Sequence, residues 1–139
     1  MINNKIVIGI IGSRERSNIE EYKRVHKIFL RFLKKYPEMI VCSGLCETGA
    51  DQFAHMLAHH HSVNMLWFPA KWDKYSKAAG FVRNTYIAEC SDYLIALPKY
   101  DRIGGTDDTI QKFIKLKGKN HLILVRERII YDKNELKNT

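Results

Sequence analysis

Met39-Ile40-Val41-Cys42-Ser43-Gly44-Leu45-Cys46-Glu47-Thr48-Gly49-Ala50-Asp51 is the stretch from which the rest of the chain can be read. A short apolar run stops at Ser43-Gly44, a compact turn follows, and Thr48-Gly49-Ala50-Asp51 opens a helix. Backbone N–H groups at such a helix start have no intrahelical partner and stand at the positive end of the helix dipole. They suit an anion, phosphate above all. The same arrangement occurs at Gly12-Ser13-Arg14 and at Gly104-Gly105-Thr106, each placed after a strand-like apolar run.

Working outward, residues 5–11 form a β-branched, almost unbroken apolar run, as expected of a central parallel strand covered on both faces. Ser17 or Asn18 can cap the helix that follows, with Glu20 and Glu21 in its first turn. Val25, Ile28, Phe29, Phe32 and Tyr36 recur at helical spacing, Lys23, Lys27 and Arg31 mark the other side, and Pro37 ends the helix. The helix after Gly49 is expected to run to about His61. Residues 65–68 are a third strand stopped by Pro69, and residues 71–77 are a polar loop carrying Trp72 and Tyr75. A helix over 78–90, a strand over 93–97 and a loop over 98–103 follow; Gly104-Gly105-Thr106 then leads into a helix reaching Lys117, with Gly118 as the C-terminal stop. Residues 121–125 make a fifth strand, and residues 129–131 a short extra edge strand.

Strands alternating with helices at this spacing predict an α/β fold: a Rossmann-like, doubly wound, mainly parallel five-stranded sheet in the order 3-2-1-4-5. In such a sheet ligands bind outside the strand carboxyl ends, at the switch point between the first and fourth strands. All three glycine turns fall at carboxyl ends. Residues 1–131 read as one domain and residues 132–139 as a polar tail.

The totals agree with this. The chain has 139 residues, of which 45% are hydrophobic and 27% charged, and no apolar run approaches the length of a membrane helix. The N-terminus lacks the features of a signal peptide, so a cytoplasmic protein is expected. Cys42, Cys46 and Cys90 read as reduced thiols, and neither a zinc-ribbon spacing nor an activating neighbour singles them out. The net charge of +8 is concentrated on the first helix, where no aromatic residues alternate with the basic ones as a stacking platform requires. A solvated helix face is the better reading than a nucleic-acid surface.

Several side chains stand where they can carry chemistry. Arg14 can meet a phosphate bidentately, or pair with Glu15. Ser43 and Gly44 offer a hydroxyl and close backbone approach, while Asp51 accepts from a ribose hydroxyl or holds a loop. Arg83 and Asn84 can close over a phosphate or sugar, with Trp72 or Tyr75 stacking on a base. Thr106 can bond a phosphate beside the N–H groups of its glycine turn, whereas Asp107 reads as a helix-capping acid. His55 and His59 share a helix face, but the residues between them are Met56-Leu57-Ala58, without the glutamate of a zinc-protease helix. Neither a metal nor a cofactor is expected.

Taken together, Gly12-Ser13-Arg14, Ser43-Gly44 through Gly49-Ala50-Asp51, Ala79-Gly80-Phe81-Val82-Arg83-Asn84 and Gly104-Gly105-Thr106 resemble the DprA/Smf–LOG superfamily (SLOG). Within it they are most similar to the small, single-domain YspA-like proteins of bacteria, phages and plasmids. The resemblance spans residues 5 to about 125 and implies a Rossmann-like domain that binds a nucleotide or a nucleotide-derived ligand. Within the superfamily, LOG proteins hydrolyse nucleoside monophosphates to base and ribose phosphate, and DprA-like members bind single-stranded DNA. In LOG enzymes a glutamate three residues after the threonine serves glycosidic cleavage; here that position is Thr109.

Three readings result. The first is a sensor or sequestering protein for a small nucleotide, with Gly12, Ser13, Arg14, Ser43, Gly44, Gly49, Ala50, Asp51, Trp72, Arg83, Asn84, Gly104, Gly105 and Thr106 around the ligand. The second is a nucleotide N-glycosidase in which Arg83 and Asp108, or Asp107, take the catalytic part. The third is single-strand nucleic-acid binding through the basic helix. A homo-oligomer is compatible with the fold, and no residue pattern requires one.

Overall fold

The residue alternation along β1 explains how the molecule is layered. Ile8 and Ile10 point into a core shared with Val25, Phe29, Phe53, Ala54 and Leu57, while Val7 and Ile11 join Ile87, Ala88, Ile110 and Phe113 on the other side. Strand side chains alternate between faces, so a strand apolar at every position must be covered twice. The computed structural model describes residues 1–44 and 49–127, the side chains of Trp72 and Lys77 excepted. Its elements are β1 (Val7–Gly12), α1 (Ile19–Lys35), β2 (Ile40–Ser43), α2 (Ala50–His60), β3 (Asn64–Trp67), α3 (Trp72–Tyr75), α4 (Ala79–Cys90), β4 (Tyr93–Leu97), α5 (Gly105–Lys117) and β5 (Leu122–Leu124).

The five strands form one sheet in the order β3-β2-β1-β4-β5, and every pairing is parallel. Helices α1 and α2 cover one face, and α4 and α5 the other. This is the expected α/β, Rossmann-like architecture. β1 is central: Ile8 stands opposite Val41 on β2 and Tyr93 on β4. Phe29 and Phe113, one on each face, are wholly buried, and each contributes about 1.5–3 kcal/mol of hydrophobic stabilisation.

Two glycines on β1 mark close approaches. A Cβ on Gly9 would lie 2.3 Å from the Ser91 hydroxyl oxygen, and one on Gly12 would lie 2.7 Å from the Ala50 Cβ. The second contact lets the start of α2 rest directly on the end of the central strand.

Some local expectations change. Residues 71–77, expected as a polar loop, are largely helical, with α3 continued by a 3-10 turn over Ser76–Ala78. Of the two candidate caps for α1, Asn18 takes the role: its side-chain oxygen accepts from the Glu21 N–H at 2.9 Å. Gly118 has φ of 81° and receives the stop of α5, as expected. The edge strand expected at 129–131 lies outside the described residues, as does Cys46. Among the described residues no helix is long and apolar enough to cross a membrane.

Candidate functional site

Where β1 and β4 diverge into their separate crossovers, the chain leaves a cleft of about 580 Å³ at the strand carboxyl ends. Its walls come from four separate stretches. β1 and its turn give Ile11, Gly12, Ser13, Arg14 and Glu15, α2 gives Asp51, α4 gives Arg83, Asn84 and Ile87, and the segment leading into α5 gives Ile103 to Asp107. Thr109, Lys99, Pro69 and Ala70 complete it.

The α5 wall is the simplest to explain. Gly104 has φ of 128°, a conformation open to glycine, and a Cβ there would meet nothing within 4 Å, so backbone conformation rather than space selects the residue. Gly104 has no side chain to cap α5 and none of the described residues is seen to do so, and the first N–H groups of a helix lack intrahelical acceptors. The first turn of α5 therefore faces the cleft with donors available to an oxyanion.

Asn84 fixes that turn relative to α4. Buried at 6% exposure, it donates from Nδ2 to the Gly105 carbonyl at 3.2 Å and to Asp108 Oδ2 at 3.2 Å, and its Oδ1 accepts from Arg83 Nε at 3.1 Å. The amide thus orients both the glycine turn and the guanidinium. Its donors are engaged within the protein, which makes it a positioning residue.

Gly44 explains where the rest of Arg83 goes. A Cβ at Gly44 would lie 2.6 Å from Arg83 Nη1 and 2.8 Å from Asp51 Oδ2. The guanidinium and the carboxylate both crowd against a backbone that only glycine leaves open. Ser43 stands beneath them: its hydroxyl oxygen is 2.6 Å from the Ile10 carbonyl and 3.0 Å from Asp51 Oδ1, so its single proton serves the protein interior. Asp51, 8% exposed, is thereby fixed on the cleft floor.

Gly49, with φ of 78°, brings the start of α2 against the β1 turn. A Cβ on it would sit 2.5 Å from the Ser13 carbonyl oxygen. Like α5, α2 follows a glycine, which offers no side-chain cap of its own.

The sequence candidates therefore separate into two groups. Gly12, Ser13, Arg14, Asp51, Arg83, Asn84, Gly104, Gly105 and Thr106 line one cleft. Ser43, Gly44, Gly49 and Ala50 are buried behind its wall, where they shape it. The Trp72 side chain lies outside the described residues. Arg14 is exposed at the rim, and Glu15 faces Lys99 at 3.6 Å.

The carboxylates matter for any catalytic role. Asp108 pairs with Lys112 at 2.9 Å and with Asn84, and is not among the cleft-lining residues. Asp107 does line the cleft, paired with Arg102 at 2.7 Å. Thr109 is 2% exposed and its hydroxyl donates back to the Gly105 carbonyl at 3.1 Å.

Arg16 escaped the sequence reading, which singled out Arg14 two residues earlier. Arg16 is 2% exposed and makes a two-point pair with Glu21, Nε to Oε1 at 3.1 Å and Nη2 to Oε2 at 2.7 Å. Its Nη1 donates to the carbonyls of Pro98 and Val125. One buried cation thus ties the β1 turn, the start of α1 and the ends of β4 and β5 below the cleft.

Away from the cleft, His55 and His59 stack with ring centroids 6.4 Å apart. Among the described residues no group of three or more His, Cys, Asp or Glu could hold a metal ion. An unexpected pair links α1 to the end of α2: His26 Nε2 and His61 Nε2 are 3.0 Å apart. Loss of hydration, then the neighbouring His60 and His26, hold His61 below its ordinary value of 6.5. Cys42 is fully buried, and its thiol is pushed up by its hydrogen bond to Cys90 and by burial. The same bond from Cys42 lowers Cys90 to about 7.

Comparison of the chain with family models, with curated proteins and with solved structures finds no match.

Proposed function

We propose that the protein binds a nucleotide or nucleotide-derived small molecule in this cleft, as a sensor or sequestering module. The observation that carries the reading is the convergence of Ser13-Arg14, Asp51, Arg83 and Gly104-Gly105-Thr106 on a single cleft of about 580 Å³ at the sheet's switch point. Those four stretches are distant in sequence, and they are the ones that resemble the SLOG superfamily. The volume falls in the range of small-molecule sites, about 300–1,000 Å³. The chemistry is mixed in the way a phosphorylated nucleoside demands. Arg14, Arg83 and the uncapped α5 start serve phosphate oxygens, and Asp51 accepts from a sugar hydroxyl.

Binding without turnover is the favoured form. The position of the LOG glutamate is a threonine whose hydroxyl is turned to its own helix, and Asp108 is engaged by Lys112 and Asn84. Asp107, which lines the cleft, supports glycosidic hydrolysis as the second reading. The basic residues Lys23, Lys27 and Arg31 are exposed on α1 and take no part in the cleft, so a nucleic-acid role would be separate from it.

The test is a thermal-shift screen with mono-, di-, tri-, cyclic and dinucleotides, with the same mixtures assayed for released base. Stabilisation with the nucleotide recovered intact supports the sensor or sequestering reading. Stabilisation with base release that is lost in Asp107→Asn supports hydrolysis instead. Binding that survives loss of Arg83 and falls steeply with salt points to α1 and a polyanion.

A further inference from the structure

A second cavity, of about 330 Å³, opens beside the cleft, and its chemistry is different. Trp67, Phe68, Tyr75 and Tyr86 contribute four aromatic side chains to its lining, with Lys71 at its edge. Pro69 and Arg83 line both cavities, so the two adjoin.

The aromatic groups are arranged as a set. Phe68 and Tyr86 are stacked, with ring centroids 6.1 Å apart and planes inclined by 29°. The Tyr86 hydroxyl faces that of Tyr75 and holds it below the usual phenol range, as does Lys74, whose ammonium lies 5.1 Å from the Tyr75 ring centroid. α3 brings Tyr75 to this place, which is why the helical character of residues 72–75 matters. Tyr86 retains 43% exposure although it lies on the helix that carries Arg83.

We infer that this aromatic cavity receives the planar ring of the ligand whose anionic part occupies the cleft, with Arg83 at the junction of ring and phosphate. The inference rests on the nucleotide reading of the cleft and assigns the ring a separate place. A flat heteroaromatic ring suits a cavity lined by aromatic side chains with Lys71 and Arg83 beside them, since its two faces can meet a ring or a cation while its edge packs against the remaining side chains. Stacking of this kind tolerates different bases, so ring recognition here is broad. Tyr75 and Tyr86 are the residues that set it.

The experiment compares ribose 5-phosphate with the four common ribonucleoside monophosphates by calorimetry, on wild type, Tyr86→Ala and Tyr86→Phe. Binding is also followed by the emission of Trp67 in the single-tryptophan variant Trp72→Phe. The expected result is that wild type prefers nucleotides over ribose 5-phosphate by about tenfold or more. That ratio collapses in Tyr86→Ala, persists in Tyr86→Phe, and nucleotides but not ribose 5-phosphate quench Trp67. A preference that persists in Tyr86→Ala, with Trp67 unquenched, overturns the inference and leaves the cleft reading standing. Equal affinity for sugar phosphate and nucleotides overturns it as well. No binding of any of these compounds by wild type overturns the cleft reading and this inference together.

Discussion

The Asn84 side-chain amide donates to the carbonyl of Gly105 at 3.2 Å and so joins the arginine-bearing helix to the glycine turn. The two motifs are 21 residues apart in sequence, yet the cleft exists only if they are held in register. The same amide receives Arg83 Nε, so one buried side chain sets both the donor turn and the cation. Removing it should loosen both.

Asn84→Ala is accordingly expected to cost about 1–3 kcal/mol, because the half-buried Arg83 and Asp108 each lose a charge-assisted hydrogen bond. Denaturant melts measure that cost. Ligand affinity should fall as well, though less than in Arg83→Ala, because the Thr109 hydroxyl still holds the Gly105 carbonyl.

Glu21→Ala should be among the most damaging substitutions in the chain. It leaves the Arg16 guanidinium buried at 2% exposure without its counter-charge. Breaking one side of such a pair costs about 3–5 kcal/mol. Urea unfolding checks this, and a loss under 1 kcal/mol would mean that water enters to solvate Arg16.

Gly49→Ala tests the junction of α2 with the β1 turn. The residue holds φ of 78°, and the new methyl would fall 2.5 Å from the Ser13 carbonyl oxygen. Strain of this kind costs about 1–3 kcal/mol. The displaced turn carries Ser13 and Arg14, so loss of stability should be accompanied by weaker ligand binding. Unchanged binding in a folded Gly49→Ala protein would separate α2 from the site.

The loss of hydration at His61, with His60 and His26 beside it, predicts a pH dependence with a definite sign. His61 in the folded protein titrates below its ordinary value of 6.5, so the unfolded chain takes up the proton first. The contribution is fully present above about pH 6.5 and is lost as pH falls through the lower folded value. Urea midpoints measured from pH 7.5 down to 5 should decline, and His61→Gln should flatten that decline. An identical slope in the variant would assign the acid sensitivity elsewhere.

Most of the layer order was legible in the sequence, and the reason is physical. A strand covered on both faces is apolar at successive positions, as residues 6–8 and 10–11 are, and the crossover rules leave few ways to order five such strands. The glycine turns were legible because each combines a strand end with a helix start. The division between lining and supporting residues was not, since Ser43 and Ser13 look alike until Ser43 is seen bonded to Ile10 and Asp51. Arg16 was hidden for a similar reason. In Arg14-Glu15-Arg16 the neighbouring opposite charges suggest a local pair. The partner Arg16 takes is Glu21, in the first turn of the next helix, and its other acceptors are carbonyls of Pro98 and Val125. Contacts at such separations leave no periodic trace. The helical turn over residues 72–75 was obscured by its length, which is too short for a repeat to register.

Thermal stabilisation of wild type beside Arg83→Ala shows whether the cleft binds a nucleotide through Arg83. A nucleotide at a hundred times its dissociation constant should stabilise wild type by about 2.7 kcal/mol. Arg83→Ala, folded and of similar intrinsic stability, should bind the same nucleotide more weakly by about 1–3 kcal/mol, as expected when a charged hydrogen bond is removed. A wild-type protein that no nucleotide stabilises, or an Arg83→Ala protein stabilised as strongly as wild type, would contradict the account.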